Sequence, residues 1–424
     1  MNKHFFHSGL ILFYLLIFFS PNKPIYFSAY IVSTFFFYFG SKNLRLSLLY
    51  SLILSLFSDI GIAGSLFLVE PSELSQGAGW QFMPMTILIL PLLFLSYREK
   101  IKKLHLSDYL PILFLFCSFF SFLFFPYSNV LFGLISLVEI VLIYFLLRIY
   151  INKENLKDIS ILLISMLIFQ TIIGLIQFLL KHPIGTLVDT DIISRPFGYT
   201  VSEEESLYRI SGTFIHPNFF ASFLLVATPF LIFAKNKNLI LKVFTFLSVI
   251  VLFFTYSRAA WIFFVVIFLI TNINSIKNYL KSFRQVIIGG VMGLLLLVIF
   301  SPYLFSRLDT FSQAFTEKGS FGTRWKLYQE AGNIINQYPL TGVGLNQSLS
   351  EYTSSPVTDL FDYVKPSVFY RIHNSFLEIA AEVGLPAMII FILFLVMVFW
   401  SYFKNKDKTI YQKMAFYGFV GLFG

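Results

Sequence analysis

The sequence predicts an all-α membrane protein that crosses the bilayer about 12–13 times and has a partly helical outer loop. Three observations predict this: 57% of the 424 residues are hydrophobic, only 12% are charged, and long apolar runs recur along almost the whole chain. An ordinary soluble domain has about a quarter of its residues charged. The composition therefore excludes soluble, disordered and fibrous proteins.

The individual spans follow from length, because a hydrocarbon core about 30 Å thick requires roughly 20 apolar residues per helix. A thirteenth run begins near 410 and is still apolar at Gly424, so we expect the chain to end inside or just after a helix, as a truncated sequence would. The first twelve runs lie near 5–20, 25–40, 46–68, 80–97, 109–125, 129–149, 159–180, 213–234, 238–256, 259–272, 284–301 and 374–403. The predicted division is transmembrane helices 1–11 in residues 1–301, an extracytoplasmic loop in 302–373, and helix 12 with the start of helix 13 in 374–424.

Basic side chains predict the orientation, because cytoplasmic loops of membrane proteins are enriched in Lys and Arg. Together with Lys3, clusters in every second connection contain 20 of the 31 basic residues but only five acidic ones. The N-terminus and these connections are therefore predicted to be cytoplasmic. The clusters are Lys42/Arg45, Arg98/Lys100/Lys102/Lys103, Arg148/Lys153/Lys157, Lys235/Lys237/Lys242, Lys277/Lys281/Arg284 and Lys404/Lys406/Lys408/Lys413.

The other connections are predicted to face outward, and any chemistry is expected there because they hold the long polar segments. They lie at 69–79, 126–128, 181–212, 256–258 and 302–373. The net charge of +9 is thus a signal of orientation and does not indicate nucleic-acid binding.

Several kinds of site are excluded by residue type. The single cysteine, Cys117, excludes an intrachain disulfide framework and a cysteine metal cluster. The chain contains no H-E-x-x-H motif and no Walker loop, so neither a metal nor a nucleotide site is predicted. Within the apolar runs, Gln170, Gln177 and Glu139 are predicted to form hydrogen bonds between helices, with an outer arginine as the alternative partner of Glu139.

Arg209 and the segment His216-Pro217-Asn218 come just before the eighth apolar run. Proline suits the first turn of a helix, where its missing N–H costs nothing, so His216 is predicted to cap this helix. Two interpretations of Arg209 stay open: it contacts a ligand, or it is a structural arginine whose stem lies along apolar surface. For His216 the structural role is favoured.

Arg258 stands alone between two apolar runs, in the segment Thr255-Tyr256-Ser257-Arg258. A cation at the membrane boundary is costly and usually has a partner or a substrate. We therefore favour contact with an anion over the alternative, which is interaction with lipid phosphates.

A short amphipathic helix is predicted within the outer loop, because Trp325, Tyr328 and Ile335 recur at helical spacing. It is expected to lie at the membrane interface. Thr323 is predicted to cap it, which places Arg324 in the first turn, where a cation opposes the helix dipole. We therefore predict that Arg324 and the free helix N–H groups bind an anion; pairing of Arg324 with surface acids or lipid is the alternative.

His373 and Asn374 open the twelfth apolar run. Asn374, Glu378 and Glu382 are spaced i, i+4, i+8, which predicts a polar stripe on an otherwise apolar helix. A helix N-terminus favours neutral imidazole, the form that accepts a proton. The outward position of His373 and the nearby acids favour a general base over a structural histidine.

Five segments in this order resemble the O-antigen ligase and O-antigen polymerase family of integral membrane glycosyltransferases. The resemblance covers roughly residues 165–390. One departure from the family pattern is His216, where an Asn is common. The segments are Gln170-Thr-Ile-Ile-Gly174-Leu-Ile-Gln177, Gly212-Thr-Phe-Ile-His-Pro217-Asn218-Phe-Phe-Ala221, Ser257-Arg258, Arg324-Trp325 through Pro339-Leu-Thr-Gly-Val-Gly344, and His373-Asn374-Ser-Phe-Leu377 through Gly384-Leu-Pro386.

The resemblance implies a GT-C-type membrane fold and a transferase in the bacterial cytoplasmic membrane. It implies a glycan donor linked to undecaprenyl diphosphate, a glycan or lipid acceptor, and no metal or nucleotide, because the donor is already activated. The family's functional arginines then correspond to Arg258 and Arg324, and more loosely to Arg209, and its essential histidine corresponds to His373. The residues expected to support this site are Asn218, Asn374, Glu378 and Glu382.

Two alternatives stay open at this point. A ligase passes the glycan to a lipid core or a protein, whereas a polymerase passes it to another repeat unit; the compact set of central segments slightly favours the ligase. A transporter or flippase for lipid-linked sugars would place charged groups near the midplane and often shows repeated halves. Arg258, Arg324 and His373 are all predicted at the outer boundary, which favours an enzyme.

Overall fold

The computed structural model shows a bundle of packed α-helices with a small helical unit beside it. It describes residues 2–20, 23–57, 66–69, 80–97, 104–182, 184, 208–214, 216–234, 239–279, 320–348, 372 and 374–421. The predicted span at 284–301 therefore lies outside the described residues, as do Arg371 and His373.

Three helices open the chain and pack against one another in order. Their interface is aromatic, with the rings of Phe13 and Tyr30 edge to face and 5.1 Å apart between centroids. Such a pair adds about 0.5–1.5 kcal/mol beyond the burial of its area. The helices are α1 (Lys3–Phe18), α2 (Lys23–Ser41) and α3 (Leu44–Phe57).

A short β-hairpin, which the sequence does not predict, separates α3 from α4 (Pro84–Ser96) within the otherwise helical fold. Strand β1 (Leu66–Val69) pairs antiparallel with β2 (Trp80–Phe82). The predicted spans 46–68 and 80–97 are accordingly too long at the ends that face this hairpin. The antiparallel pairing brings both ends of the predicted outer connection 69–79 together.

Three long helices follow, and each has the length of a membrane span. Asp108 lies in the first turn of the first helix and Arg148 in the last turn of the second, and the two side chains form a salt bridge of 2.6 Å. Tyr144 donates to the other carboxylate oxygen of Asp108 at 2.7 Å. Both charged residues belong to segments predicted as cytoplasmic, so their contact agrees with that assignment. The helices are α5 (Leu106–Phe124), α6 (Ser128–Tyr150) and α7 (Leu156–Leu180).

Of the next three helices, the first two pack on α7, and all three pack on each other. They are α8 (Pro217–Ile232), α9 (Leu239–Phe254) and α10 (Arg258–Tyr279).

The described residues of the C-terminal part form four helices, whereas the sequence predicts three. The predicted run 374–403 is divided at Gly384, whose φ of +95° ends one helix before the next begins. The helices are α11 (Ser320–Gln337), α12 (Ser375–Val383), α13 (Leu385–Lys404) and α14 (Ile410–Gly421).

The membrane class of the fold is confirmed by the lengths and composition of these helices. Among the described residues, α5, α6, α7 and α13 are long and apolar enough to cross a bilayer, and shorter apolar helices of 10–17 residues accompany them. A large hydrophobic cluster joins α1–α4, α6–α10 and α14. A second, smaller cluster joins α11, Val343, Ile372 and α12, and α12 is linked to the bundle through α5 and α13.

Candidate active site

The N-terminus of α8 is capped by His216, as the sequence predicts. Pro217 is the first helical residue, and the Nδ1 atom of His216 accepts a hydrogen bond from the backbone N–H of Asn218 at 3.1 Å. This is the bond that an Asn makes at an N-cap. The departure at His216 therefore preserves the cap.

Arg209 is buried, with 7% of its surface exposed, and binds two groups from different segments. Its Nε–H donates to the carbonyl of Thr255 at 2.8 Å, and an Nη donates to the side-chain oxygen of Asn218 at 2.8 Å. The structure thus brings two predicted site residues, Arg209 and Asn218, into direct contact. It also ties the loop before α8 to the turn before α10.

Two glutamines of α7 form hydrogen bonds with the loop at residues 211–213. The Gln177 amide donates to the Gly212 carbonyl at 2.7 Å, and its oxygen accepts from the Gly212 N–H at 2.8 Å. Gln170 bonds the hydroxyl and the N–H of Thr213 at 2.6 and 3.1 Å. The predicted bonds between helices are therefore wrong for both glutamines, which bind a loop. Glu139 does bond another helix, because Thr86 of α4 donates to it at 3.2 Å.

Arg258 lies where the sequence predicts, at the junction of two apolar helices. The connection between α9 and α10 is three residues long, and Tyr256 in it has a φ of +52°. Arg258 is the first residue of α10 and is half-buried.

Arg324 lies near enough to Arg258 for their like charges to interact. The two cationic side chains, 66 positions apart in the sequence, thus lie within range of each other's charge, with Arg258 half-buried and Arg324 exposed. The two like charges repel each other, which raises the free energy of the site when no anion is bound. A bound dianion lowers that free energy. This convergence is the chemical feature that distinguishes the site.

The helix that carries Arg324 begins earlier than the sequence predicts. It begins at Ser320 rather than after a Thr323 cap, so Arg324 lies in the second turn and not among the free N–H groups of the first. Its buried face runs through Leu327, Ala331 and Ile334, whereas Trp325 is 55% exposed. An Arg324 site therefore depends on neighbouring side chains rather than on the helix terminus.

His373 lies outside the described residues, but both of its neighbours in the chain are anchored. Ile372 is 2% exposed and packs in the cluster that contains Leu327, one turn from Arg324. The side-chain oxygen of Asn374 accepts bonds from the N–H groups of Phe376 and Leu377 at 3.0 and 3.2 Å. Asn374 is therefore the N-cap of α12, and its predicted membership of a polar stripe is wrong.

The two predicted supporting acids lie on α12. Glu378 is half-buried and Glu382 is 7% exposed. The Ser348 hydroxyl donates to the Glu382 carboxylate at 2.7 Å, and the Ser121 hydroxyl donates to its backbone carbonyl at 3.2 Å. Glu382 thus connects α12 to the predicted outer loop and to α5.

Residues 339–344 run along residues 381–385 at the C-terminal end of α12, and we refer to this pairing as the clasp. Gly342 has a φ of +59° and Gly384 has a φ of +95°; a Cβ at Gly342 would overlap the Glu382 carbonyl, and one at Gly384 would overlap that of Leu340. Only glycine combines that backbone conformation with that approach. The clasp bonds are Val343 N–H to Ala381 O at 3.0 Å, Gly344 N–H to Glu382 O at 2.8 Å and Leu385 N–H to Pro339 O at 2.8 Å.

Two hydroxyl groups beside Arg209 are not predicted by the sequence. The Tyr208 and Ser211 hydroxyls are buried and, within the described part of the chain, have no hydrogen-bond partner. Burial raises the pKa of the Tyr208 phenol to about 12, so it stays protonated near neutral pH. Ser348 was also missed, because a lone serine in a polar loop carries no pattern that identifies it.

Residues 243–392 match a family model described as O-antigen ligase, and no curated protein matches the chain. The matched segment includes Arg258, Arg324 and the whole of α12, whereas Arg209 and Asn218 precede it. The match confirms the predicted family resemblance and supports a ligase- or polymerase-type membrane glycosyltransferase role.

Proposed function

We propose that this chain, whose residues 243–392 match the model of an O-antigen ligase domain, transfers a glycan from undecaprenyl diphosphate to an acceptor hydroxyl in cell-surface polysaccharide synthesis. The reaction takes place at the extracytoplasmic face of the bacterial cytoplasmic membrane. The observation that carries the proposal is the convergence of Arg258 and Arg324 inside that domain.

The two arginines bind the diphosphate of the donor. As the bond between the anomeric carbon and the phosphate oxygen breaks, its electron pair passes to the diphosphate, which gains negative charge. Preorganised cations stabilise a charge that develops in the transition state, and arginine matches phosphate oxygens with two parallel hydrogen bonds.

His373 accepts the proton of the acceptor hydroxyl as the hydroxyl oxygen bonds to the anomeric carbon from the opposite side. The product is inverted at that carbon, and the reaction requires no metal because the donor is activated. The anchoring of Ile372 in the small cluster and of Asn374 at the cap of α12 supports this role, since it restricts the chain on both sides of the histidine.

A reconstitution assay tests the proposal. Purified protein in vesicles receives a labelled glycan on undecaprenyl diphosphate together with either a lipid-core acceptor or a second repeat unit. Transfer to the lipid core identifies a ligase, and chain extension identifies a polymerase. Movement of the lipid across the vesicle without transfer would show a transporter and refute the transferase proposal.

A paired variant tests the base. His373→Ala is expected to lower turnover by about 10²–10⁴-fold, which is the usual contribution of general-base catalysis. His182→Ala replaces an exposed histidine at the end of α7 and is expected to leave turnover unchanged. Equal turnover in His373→Ala and the unmodified protein would remove His373 from the mechanism.

A further inference from the structure

We propose that Arg209 is a positioning residue, which holds the turn that presents Arg258 and does not itself bind the diphosphate. This inference rests on the proposed function. It differs from the diphosphate contact that the sequence predicts for Arg209.

The first argument is how the Arg209 guanidinium is used. Two of its nitrogens are 2.8 Å from protein oxygens, the Thr255 carbonyl and the Asn218 side chain, and the residue is 7% exposed. A buried guanidinium with bonds of this kind is held in one orientation. Thr255 is three residues before Arg258, so the bond acts on the segment that sets the position of Arg258.

The second argument is that the turn requires external support. Tyr256 has a φ of +52°, a left-handed backbone conformation that is strained for a non-glycine residue. The Ile210 N–H donates to the Phe254 carbonyl at 3.4 Å, beside the bond from Arg209 to Thr255. Residues 209–210 thus pair with residues 254–255 and hold the turn in this conformation.

The third argument is that this support is itself fixed. The loop that follows Arg209 is bound by Gln170 and Gln177 of α7. Phe178 of the same helix stacks on Phe254, with 3.6 Å between ring centroids. A continuous set of contacts therefore runs from α7 to the turn before α10.

The charge of Arg324 explains why the turn before α10 requires support. The repulsion between Arg258 and Arg324 favours movement of Arg258 away from the site when no anion is bound. A turn held by Arg209 resists that movement and keeps the diphosphate site preorganised.

The test compares the variants Arg209→Gln and Asn218→Ala, each alone and combined with Arg258→Ala, in the full-length protein in detergent. The first readout is affinity for undecaprenyl diphosphate without acceptor. We expect Arg209→Gln to weaken binding about tenfold and Asn218→Ala about threefold, and each to have less than about a twofold effect once Arg258 is absent. If Arg209 binds the diphosphate itself, the losses will multiply, and the positioning role is overturned.

A matched control separates positioning from general loss of stability. Asp108→Asn breaks a buried ion pair in another part of the bundle, and its effect on affinity is expected to be the same with and without Arg258. Should Arg209→Gln fail to fold, Asn218→Ala carries the same comparison, because it removes one partner of the Arg209 guanidinium.

The second readout does not depend on activity. Hydrogen exchange followed by mass spectrometry is expected to show faster exchange at residues 254–258 in Arg209→Gln than in the unmodified protein. Unchanged exchange there overturns the positioning role. Faster exchange in a protein that neither binds undecaprenyl diphosphate nor transfers glycan leaves the support of the turn intact and overturns the proposed function.

Discussion

Arg258 and Arg324 illustrate what single residues contribute to this molecule. Arg258 stands out in the sequence because a cation at the membrane boundary is costly, and Arg324 because a cation predicted in the first turn of a helix opposes its dipole. The structure adds that the two charges interact, although they come from different helices. A pair of like charges is a stronger indication of an anion site than either residue alone.

Removal of either charge gives a prediction about rate. Arg258→Ala and Arg324→Ala are each expected to lower glycan transfer by about 10²–10³-fold, the loss typical of one electrostatic donor to a transition state. The lysine variants should retain part of the activity, because they keep the charge and lose the two-point geometry. Turnover of labelled donor in reconstituted protein measures both.

Lys326→Ala is the matched control, since it removes another cation from the same helix two residues farther on. It should transfer glycan at close to the unmodified rate. Equal losses in Lys326→Ala and Arg324→Ala would indicate a general effect of charge and contradict a specific diphosphate contact.

Predictions for single residues succeed where the neighbours in the sequence determine the role. The cap at His216 could be predicted because Pro217 follows it directly, so only adjacent residues are involved. The partners of Gln170 and Gln177 were wrongly predicted, because an amide in an apolar helix indicates that a partner exists but not whether a helix or a loop supplies it.

At the level of elements, α12 is the helix whose position depends on its surroundings. It has nine residues, too few for stability on its own. Asn374 caps its start, and the clasp bonds its end. The helix that follows His373 is therefore held at both ends by other parts of the chain.

The clasp gives a prediction about stability. Gly342→Ala is expected to lower the free energy of unfolding by about 2 kcal/mol or more, because a Cβ would overlap the Glu382 carbonyl at a φ of +59°. Gly332→Ala is the matched control: no atom lies within 4 Å of its added Cβ, and a helix interior gains up to about 1 kcal/mol from the change.

Thermal unfolding of the purified protein in detergent measures these two variants. Gly342→Ala should unfold at a lower temperature than the unmodified protein and Gly332→Ala at the same or a higher one. A shift in the same direction for both would show that the clasp has no special role.

The buried face of α11 consists of Leu327, Ala331 and Ile334, whereas the predicted amphipathic face runs through Trp325, Tyr328 and Ile335. The exposure of Trp325 is compatible with the predicted position at the membrane interface. Aromatic residues near a membrane pack either inward or toward the interface, so their spacing indicates a helix without showing which face is buried.

For the whole molecule, the contacts between connections agree with the predicted sidedness. Phe125, beside the predicted outer connection 126–128, packs edge to face on Tyr338 of the outer loop with 5.3 Å between ring centroids. Asp108 and Arg148, both from segments predicted as cytoplasmic, pair with each other. The orientation itself stays a prediction.

Cysteine labelling tests that orientation. In a Cys117→Ser background, Asn336→Cys should react with a membrane-impermeant thiol reagent in intact cells, because this exposed residue lies in the predicted outer loop. Lys406→Cys, also exposed, should react only after permeabilisation. The reverse pattern would place the arginine pair on the cytoplasmic side and contradict the proposed site of reaction.

The sequence alone determined the membrane class, the positions of most helices and the residue types of the site. The physical reason is that length, hydropathy and charge act locally, so each segment reports its own preference for lipid or water. It also indicated the family, because the five segments can be recognised, in order, in the amino-acid sequence. The break at Gly384 and the β-hairpin could not be predicted from the sequence, because both depend on backbone contacts with residues elsewhere in the chain.

Only the tertiary structure decided which polar groups meet. Arg209 with Thr255, Arg258 with Arg324, and Glu382 with Ser348 join segments 34–66 positions apart. No spacing rule covers such distances, because the pairs form where the packing of α7–α12 closes the intervening chain into a common region. The residue types of the proposed anion site can thus be read from the sequence, whereas the folded bundle sets their geometry.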